Sequence, residues 1–114
     1  KEKRRHKRWG CRLSVGYLLY SQTTRTGKTI IKNITPGGVS MIMKRLPLPE
    51  TILSLKINIK RISKYLSLTN ILCDAQGHPM VRVVWGRHWK RQSRHYEVGA
   101  SFLEKPFSPD SFWE

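Results

Sequence analysis

Short stretches in which apolar and polar residues alternate recur along the whole chain, separated by turn-forming clusters. Over 11–20, Leu13, Val15, Tyr17 and Leu19 alternate with Arg12, Ser14 and Gly16, the period of a half-buried strand. A polar loop is predicted over 21–28, with Gly27-Lys28 at its turn. Second and third strands follow over 28–34 and 39–44, joined through Asn33-Ile34-Thr35-Pro36-Gly37-Gly38. In that turn Asn33 and Thr35 can bond their own backbone two residues on, Pro36 presets one φ angle, and Gly37 and Gly38 permit φ > 0.

Pro47 and Pro49 make 45–50 a connecting loop, since proline cannot join a central ladder. The most regular alternation follows, with Leu53, Leu55, Ile57 and Ile59 on one face and Ser54, Lys56, Asn58 and Lys60 on the other. Segments 66–74 and 80–85 read as a hairpin across Ala75-Gln76-Gly77-His78-Pro79. A last strand over 96–103 places Val98, Ala100 and Phe102 on one face. Near the end, Ser108 at an N-cap and Pro109 at the first helical position predict a helix that the end of the chain cuts short. Six or seven short strands without a long helix define an all-β domain, a closed barrel or a sandwich.

Residues 1–10 are nearly all basic and show no apolar period, so they read as an arm outside the barrel, with Trp9 anchoring its end. The expected division is therefore an arm over 1–10, a barrel over 11–104 and a tail or helix start over 105–114. With 114 residues, 39% of them hydrophobic, the chain has enough apolar surface for one modest core. The apolar runs are too short to span a bilayer, and no signal peptide is visible. The chain opens at Lys1 without an initiator Met, as would a piece of a larger protein, whose parent could itself be membrane-bound. Two cysteines, Cys11 and Cys73, are too few for a secreted disulfide scaffold and fit reduced residues of a cytoplasmic domain, although one bridge stays open.

Charge narrows the partners. Twenty-two Lys and Arg against seven Asp and Glu give a formal net charge of +15, which draws nucleic acid, nucleotide phosphates or anionic lipid without choosing among them. The choice comes from two short pieces. Arg4-Arg5-His6-Lys7-Arg8 carries R-x-x-x-R, and Asn33-Ile34-Thr35-Pro36-Gly37-Gly38 carries N-x-T-x-x-G. In this order, one strand apart, they resemble the paired signature of the PilZ family of cyclic di-GMP receptors, R-x-x-x-R followed by [D/N]-x-[S/T]-x-x-G. The tail Val98-Gly99-Ala100-Ser101-Phe102 is similar to the G-V-x-F close of that family's last strand, with Ala where Val is usual. Thr35 stands where Ser is commoner.

The resemblance implies a six-stranded antiparallel barrel, often followed by a helix, that binds cyclic di-GMP and has no catalysis of its own. It assigns the ligand to Arg4, Arg8, Asn33, Thr35 and Gly38, with Arg5 assisting. Arg8 and Arg12 are also four apart, but Arg12 falls in the first strand, and the two arm arginines fit better. The chemistry agrees, because arginine's planar fork pairs with phosphate or with guanine O6/N7 and stacks on a base face. In several members of the family the ligand is a self-intercalated dimer, and arm movement switches a catalytic partner. The arrangement here resembles the PilZ domain beside the catalytic region of bacterial cellulose synthases, a glycosyltransferase setting, with the domain on the cytoplasmic side.

Other signals are weaker. Gly27-Lys28-Thr29 ends like a P-loop, but Gln22 replaces the upstream glycine and a strand follows. His6, His78, His88, His95 and the cysteines show no metal-ligand spacing. Trp85 and Trp89 read as core and rim packing, or as a wall of the ligand site. Arg87, Lys90, Arg91 and Arg94 read as a solvated loop or a docking patch. No catalytic pair stands out among so few acids. The rival to a cyclic di-GMP receptor is a small basic barrel that binds single-stranded nucleic acid. Such a barrel wants aromatic residues exposed on adjacent strands, whereas here they are dispersed.

Overall fold

The computed structural model describes residues 9–21, 24–62, 70–90 and 94–105. Among them are six strands: β1 (Trp9–Tyr20), β2 (Arg25–Thr35), β3 (Gly38–Met43), β4 (Ile52–Lys56), β5 (Met80–His88) and β6 (Tyr96–Phe102). A single helical turn, α1 (Ile59–Ile62), follows β4. The strands close into an antiparallel barrel in the order β1-β2-β3-β6-β5-β4, with β4 returning to β1. Closure leaves no unpaired sheet edge, which a sheet this small would otherwise expose.

The alternation read from the sequence sets which face points inward. Val15, Ile31, Met41, Met43, Leu53, Leu55, Val81, Val83, Val98 and Ala100 fill the interior. Tyr17 and Leu19 pack against its edge, half-buried. Removing this much apolar surface from water is the main force that closes the barrel. Polar groups on covered faces are paired. Tyr20 and Ser54 share a hydroxyl–hydroxyl bond of 2.9 Å, and Thr29 Oγ1 donates to the Ile42 carbonyl at 2.7 Å.

Three local readings change. β2 begins at Arg25 and pairs Gly27 with Tyr17, so Gly27-Lys28 lies inside a strand and not at a turn. A Cβ at Gly27 would stand 2.5 Å from the Tyr17 ring, so any larger residue there would displace that side chain. β4 stops at Lys56, and Ile59 opens α1 instead of extending the strand. The cause is Asn58, whose Oδ1 accepts from the Lys60 amide at 2.9 Å while its carbonyl accepts from Arg61 at 2.9 Å, an N-cap that the apolar period conceals. Over 70–74, the described part of the expected 66–74 strand, the pairing consists of isolated bridges, Ile71 with Glu104 and Cys73 with Pro79, around a turn that Asp74 closes. Asp74 Oδ1 accepts from the amides of Gln76 and His78. The start of that segment, the arm with Arg4, Arg5 and Arg8, and the helix start at Ser108 lie outside the described residues.

Candidate functional site

The β2–β3 connection is tighter than its sequence suggests. Asn33, Ile34 and Thr35 still belong to β2, and the turn is made by Pro36 and Gly37 alone. Thr35 Oγ1 accepts from the Gly37 amide at 3.2 Å and from the Gly38 amide at 3.1 Å, the expected side-chain-to-backbone bond two residues on. Neither glycine adopts φ > 0; among the described glycines only Gly77 does. Gly38 is required for close approach instead. It pairs with Ser101 on β6, and a Cβ at 38 would stand 2.1 Å from the Ala100 carbonyl oxygen.

Beside this turn lies a cleft of about 470 Å³, within the size range of small-molecule sites. Asn33, Thr35, Gly38 and Ser40 line it from β2 and β3, and Trp85, Arg87, Glu97 and Gly99 line it from β5 and β6. The structure thus brings three of the expected site residues, Asn33, Thr35 and Gly38, to one cleft. The three arginines lie outside the described residues, so their position is not part of this geometry.

Two irregularities shape the cleft. The β2–β3 register shifts between Ile31 and Asn33, and the β5–β6 register shifts between Val83 and Trp85. Each shift inserts one extra residue, Lys32 in β2 and Val84 in β5, which re-aims the side chains that follow. Strict alternation from Val81 and Val83 would send Trp85 into the core. The bulge leaves it 42% exposed and in the cleft wall. Its indole lies against Gly99, where a Cβ would come within 2.2 Å of Trp85 Cε2. Trp85 is thus not a core residue but part of the wall of this cleft.

Glu97 is the residue that sequence reasoning missed. Its side chain is 3% exposed, and among the described residues it is the buried acid. One oxygen accepts from Lys32 Nζ and Ser40 Oγ, each at 3.1 Å, while the other accepts from Arg87 Nε at 2.9 Å and forms an ion pair with Arg87 Nη2 at 2.8 Å. Burial alone would push its carboxyl up; the bonds from Arg87, Lys32 and Ser40 outweigh that and hold it below the usual carboxylate range. Arg87, expected in a solvated loop, is therefore tied into the site wall, and its Cζ stands 5.4 Å from the Trp85 ring centroid. Lys32 Nζ lies 4.2 Å over the Trp89 ring, so Trp89 packs on the far side of the same network. A lone acid inside the apolar alternation of 96–102 is the signal that could have found this network.

No group of three or more His, Cys, Asp or Glu among the described residues could hold a metal ion. Cys73 is a free thiol that burial pushes above its ordinary pKa. No helix of the described residues is long and apolar enough to cross a membrane.

No family model and no curated protein matches the chain. Among solved structures, the fold is similar to one described as the K. pneumonia MrkH-c-di-GMP complex, with a TM-score of 0.51 and 15% sequence identity. The match covers 93% of this chain and 47% of that one, so this chain spans about half its neighbour's length. At this identity the likeness is one of fold.

Proposed function

We propose that this chain is a cyclic di-GMP-binding regulatory domain of the PilZ type, without catalytic activity of its own. The observation that carries the reading is the meeting of Asn33, Thr35 and Gly38, the second half of the family signature, with Trp85 in one cleft. A cyclic dinucleotide offers flat purine faces and two phosphates. The cleft offers an aromatic wall for a base and close backbone approach at Gly38. The first half of the signature, Arg4 and Arg8 with Arg5, would supply the forks for phosphate and guanine from the arm. A fold similar to that of a protein solved in complex with c-di-GMP supports the same reading.

The output follows from the arm. Arginines that hold a neighbouring loop until the ligand competes for them shift a population between two states, and an attached or partner enzyme reads that shift. The arrangement that best suits a basic arm ahead of the barrel is a cellulose synthase-type glycosyltransferase, with this domain on the cytoplasmic side. The ligand would bind there singly or as an intercalated dimer.

Calorimetry with cyclic di-GMP and, separately, a short single-stranded oligonucleotide tests the proposal. Saturable binding of the dinucleotide, abolished by Arg4→Ala or Arg8→Ala, is expected. Association with the oligonucleotide alone, falling steeply with added salt, would favour a nucleic-acid-binding barrel instead.

A further inference from the structure

The signature residues leave one feature of the cleft unused. Arg87 on β5 projects from a bulged strand with its side chain 70% exposed, yet one edge of its guanidinium is fixed by a carboxylate that is 3% exposed. Nε donates to one Glu97 oxygen and Nη2 stands in ion-pair contact with the same atom, while Ser40 and Lys32 hold the other. Three donors, one from each of three residues, together with the Nη2 ion pair thus lock the acid, and the acid locks the plane of the arginine. Nη1 has no protein partner among the described residues. Such an arginine is pre-organised at one end and available at the other, which lowers the ordering cost of a contact.

Resting on the reading of the cleft as a cyclic dinucleotide site, we propose that Arg87 is a specificity-determining residue that reads the O6/N7 edge of a guanine, and that Glu97 is its positioning residue. Two features favour a base edge over a phosphate. Glu97 shares its one negative charge between Arg87 and Lys32, which weakens the pull of Arg87 on an anion without cancelling it and leaves the geometry of the outer N–H groups intact. Guanine's edge carries two acceptors, O6 and N7, and needs two aligned donors but no net charge. Trp85 stands beside Arg87, 5.4 Å from Cζ to ring centroid, so a purine packed on that wall has its edge within the arginine's reach. Adenine would present its N6 amino donor to the same donors, and an arginine that cannot swing away penalises the mismatch.

The test is calorimetry of the full chain with cyclic di-GMP and cyclic di-AMP, for wild type, Arg87→Lys and Glu97→Gln. Wild type is expected to favour the guanine ligand. Arg87→Lys keeps the charge but loses the fork, and the guanine-to-adenine affinity ratio should fall by roughly 5- to 150-fold, the range for one good bidentate base contact. Cyclic di-AMP affinity should stay within about twofold. Glu97→Gln should lower the same ratio by a smaller factor, even though removing a negative charge would by electrostatics alone tighten an anionic ligand. A wild type that binds both dinucleotides equally, or an Arg87→Lys variant that weakens both equally, would overturn the base-reading role while leaving the dinucleotide site standing. Unchanged binding in Arg87→Lys would also overturn it. A wild type that binds neither dinucleotide would remove the site itself, and this assignment with it.

Discussion

Ser40 and Gly99 face each other across β3 and β6, and each stands opposite a bulge in the strand on its other side. The extra residue in β2 is accommodated opposite Ser40 and the extra residue in β5 opposite Gly99. Two strands that flank one cross-strand pair therefore both depart from flat pleating at the same level of the barrel. The cleft opens there, with Asn33 turned in from one side and Trp85 from the other. Neighbouring bulges of this kind re-aim side chains while the rest of the ladder stays regular.

Gly99 holds the Trp85 wall in place. In Gly99→Ala the new methyl would meet the indole at 2.2 Å, so the ring must leave its seat. Trp85→Ala removes the wall itself at an exposed position, and should weaken cyclic di-GMP by about 1–3 kcal/mol, as for a lost base–aromatic stack. Gly99→Ala should show a loss of the same sign. Calorimetry of both variants checks this, with denaturant midpoints showing that Trp85→Ala remains folded.

Thr35 serves the turn before it serves a ligand. Its hydroxyl accepts from two backbone amides, so Thr35→Ala should cost about 1 kcal/mol of stability, and Thr35→Ser should restore it. Urea unfolding of the two variants measures the difference. If Thr35→Ala matches wild type, the turn does not depend on that hydroxyl.

A Cβ at position 38 has nowhere to go, because the obstacle is the Ala100 backbone oxygen at 2.1 Å and not a movable side chain. Gly38→Ala should therefore destabilise the barrel by about 1–3 kcal/mol through forced separation of β3 from β6. Thermal unfolding reads this directly.

Acid should weaken the fold through Glu97. Its folded pKa lies below the unfolded value of about 4.3, so the unfolded chain binds the extra proton and stability falls as pH drops through that region. The contribution is complete above the unfolded pKa and lost once pH passes below the folded one. Glu97→Gln should flatten this slope. What remains should include Asp74, where bonds from the His78 and Gln76 amides outweigh the opposing effect of burial. Denaturant midpoints from pH 6 down to about pH 3 would show the difference.

Much of the barrel is legible in the sequence because period-2 alternation reports burial wherever a strand is regular. Val15, Ile31, Leu53, Leu55, Val98 and Ala100 all point inward as the alternation requires. It misleads where pairing is irregular. Trp85 continues the phase of Val81 and Val83 on paper, but one inserted residue carries it to the cleft wall. Ile59 continues the phase of Leu53 to Ile57, but Asn58 caps a helical turn in between. Of the site, Asn33, Thr35 and Gly38 are legible through the N-x-T-x-x-G half of the signature that resembles the PilZ family's. Arg87 and Glu97 are not, because they lie ten positions apart in sequence and meet only through the β5–β6 register. An arginine in a basic chain looks like solvated charge until its partner is known.

The central claim is that a cyclic dinucleotide lodges between the two bulges. Amide and indole chemical-shift mapping during titration with cyclic di-GMP tests it most directly. The largest changes should fall on Gly38, Ser40, Gly99 and the Trp85 indole N–H, with Tyr17, Leu19 and Lys44 at the far end of the β2–β3 hairpin nearly still. Shifts concentrated at that far end, or none at saturating ligand, would contradict it.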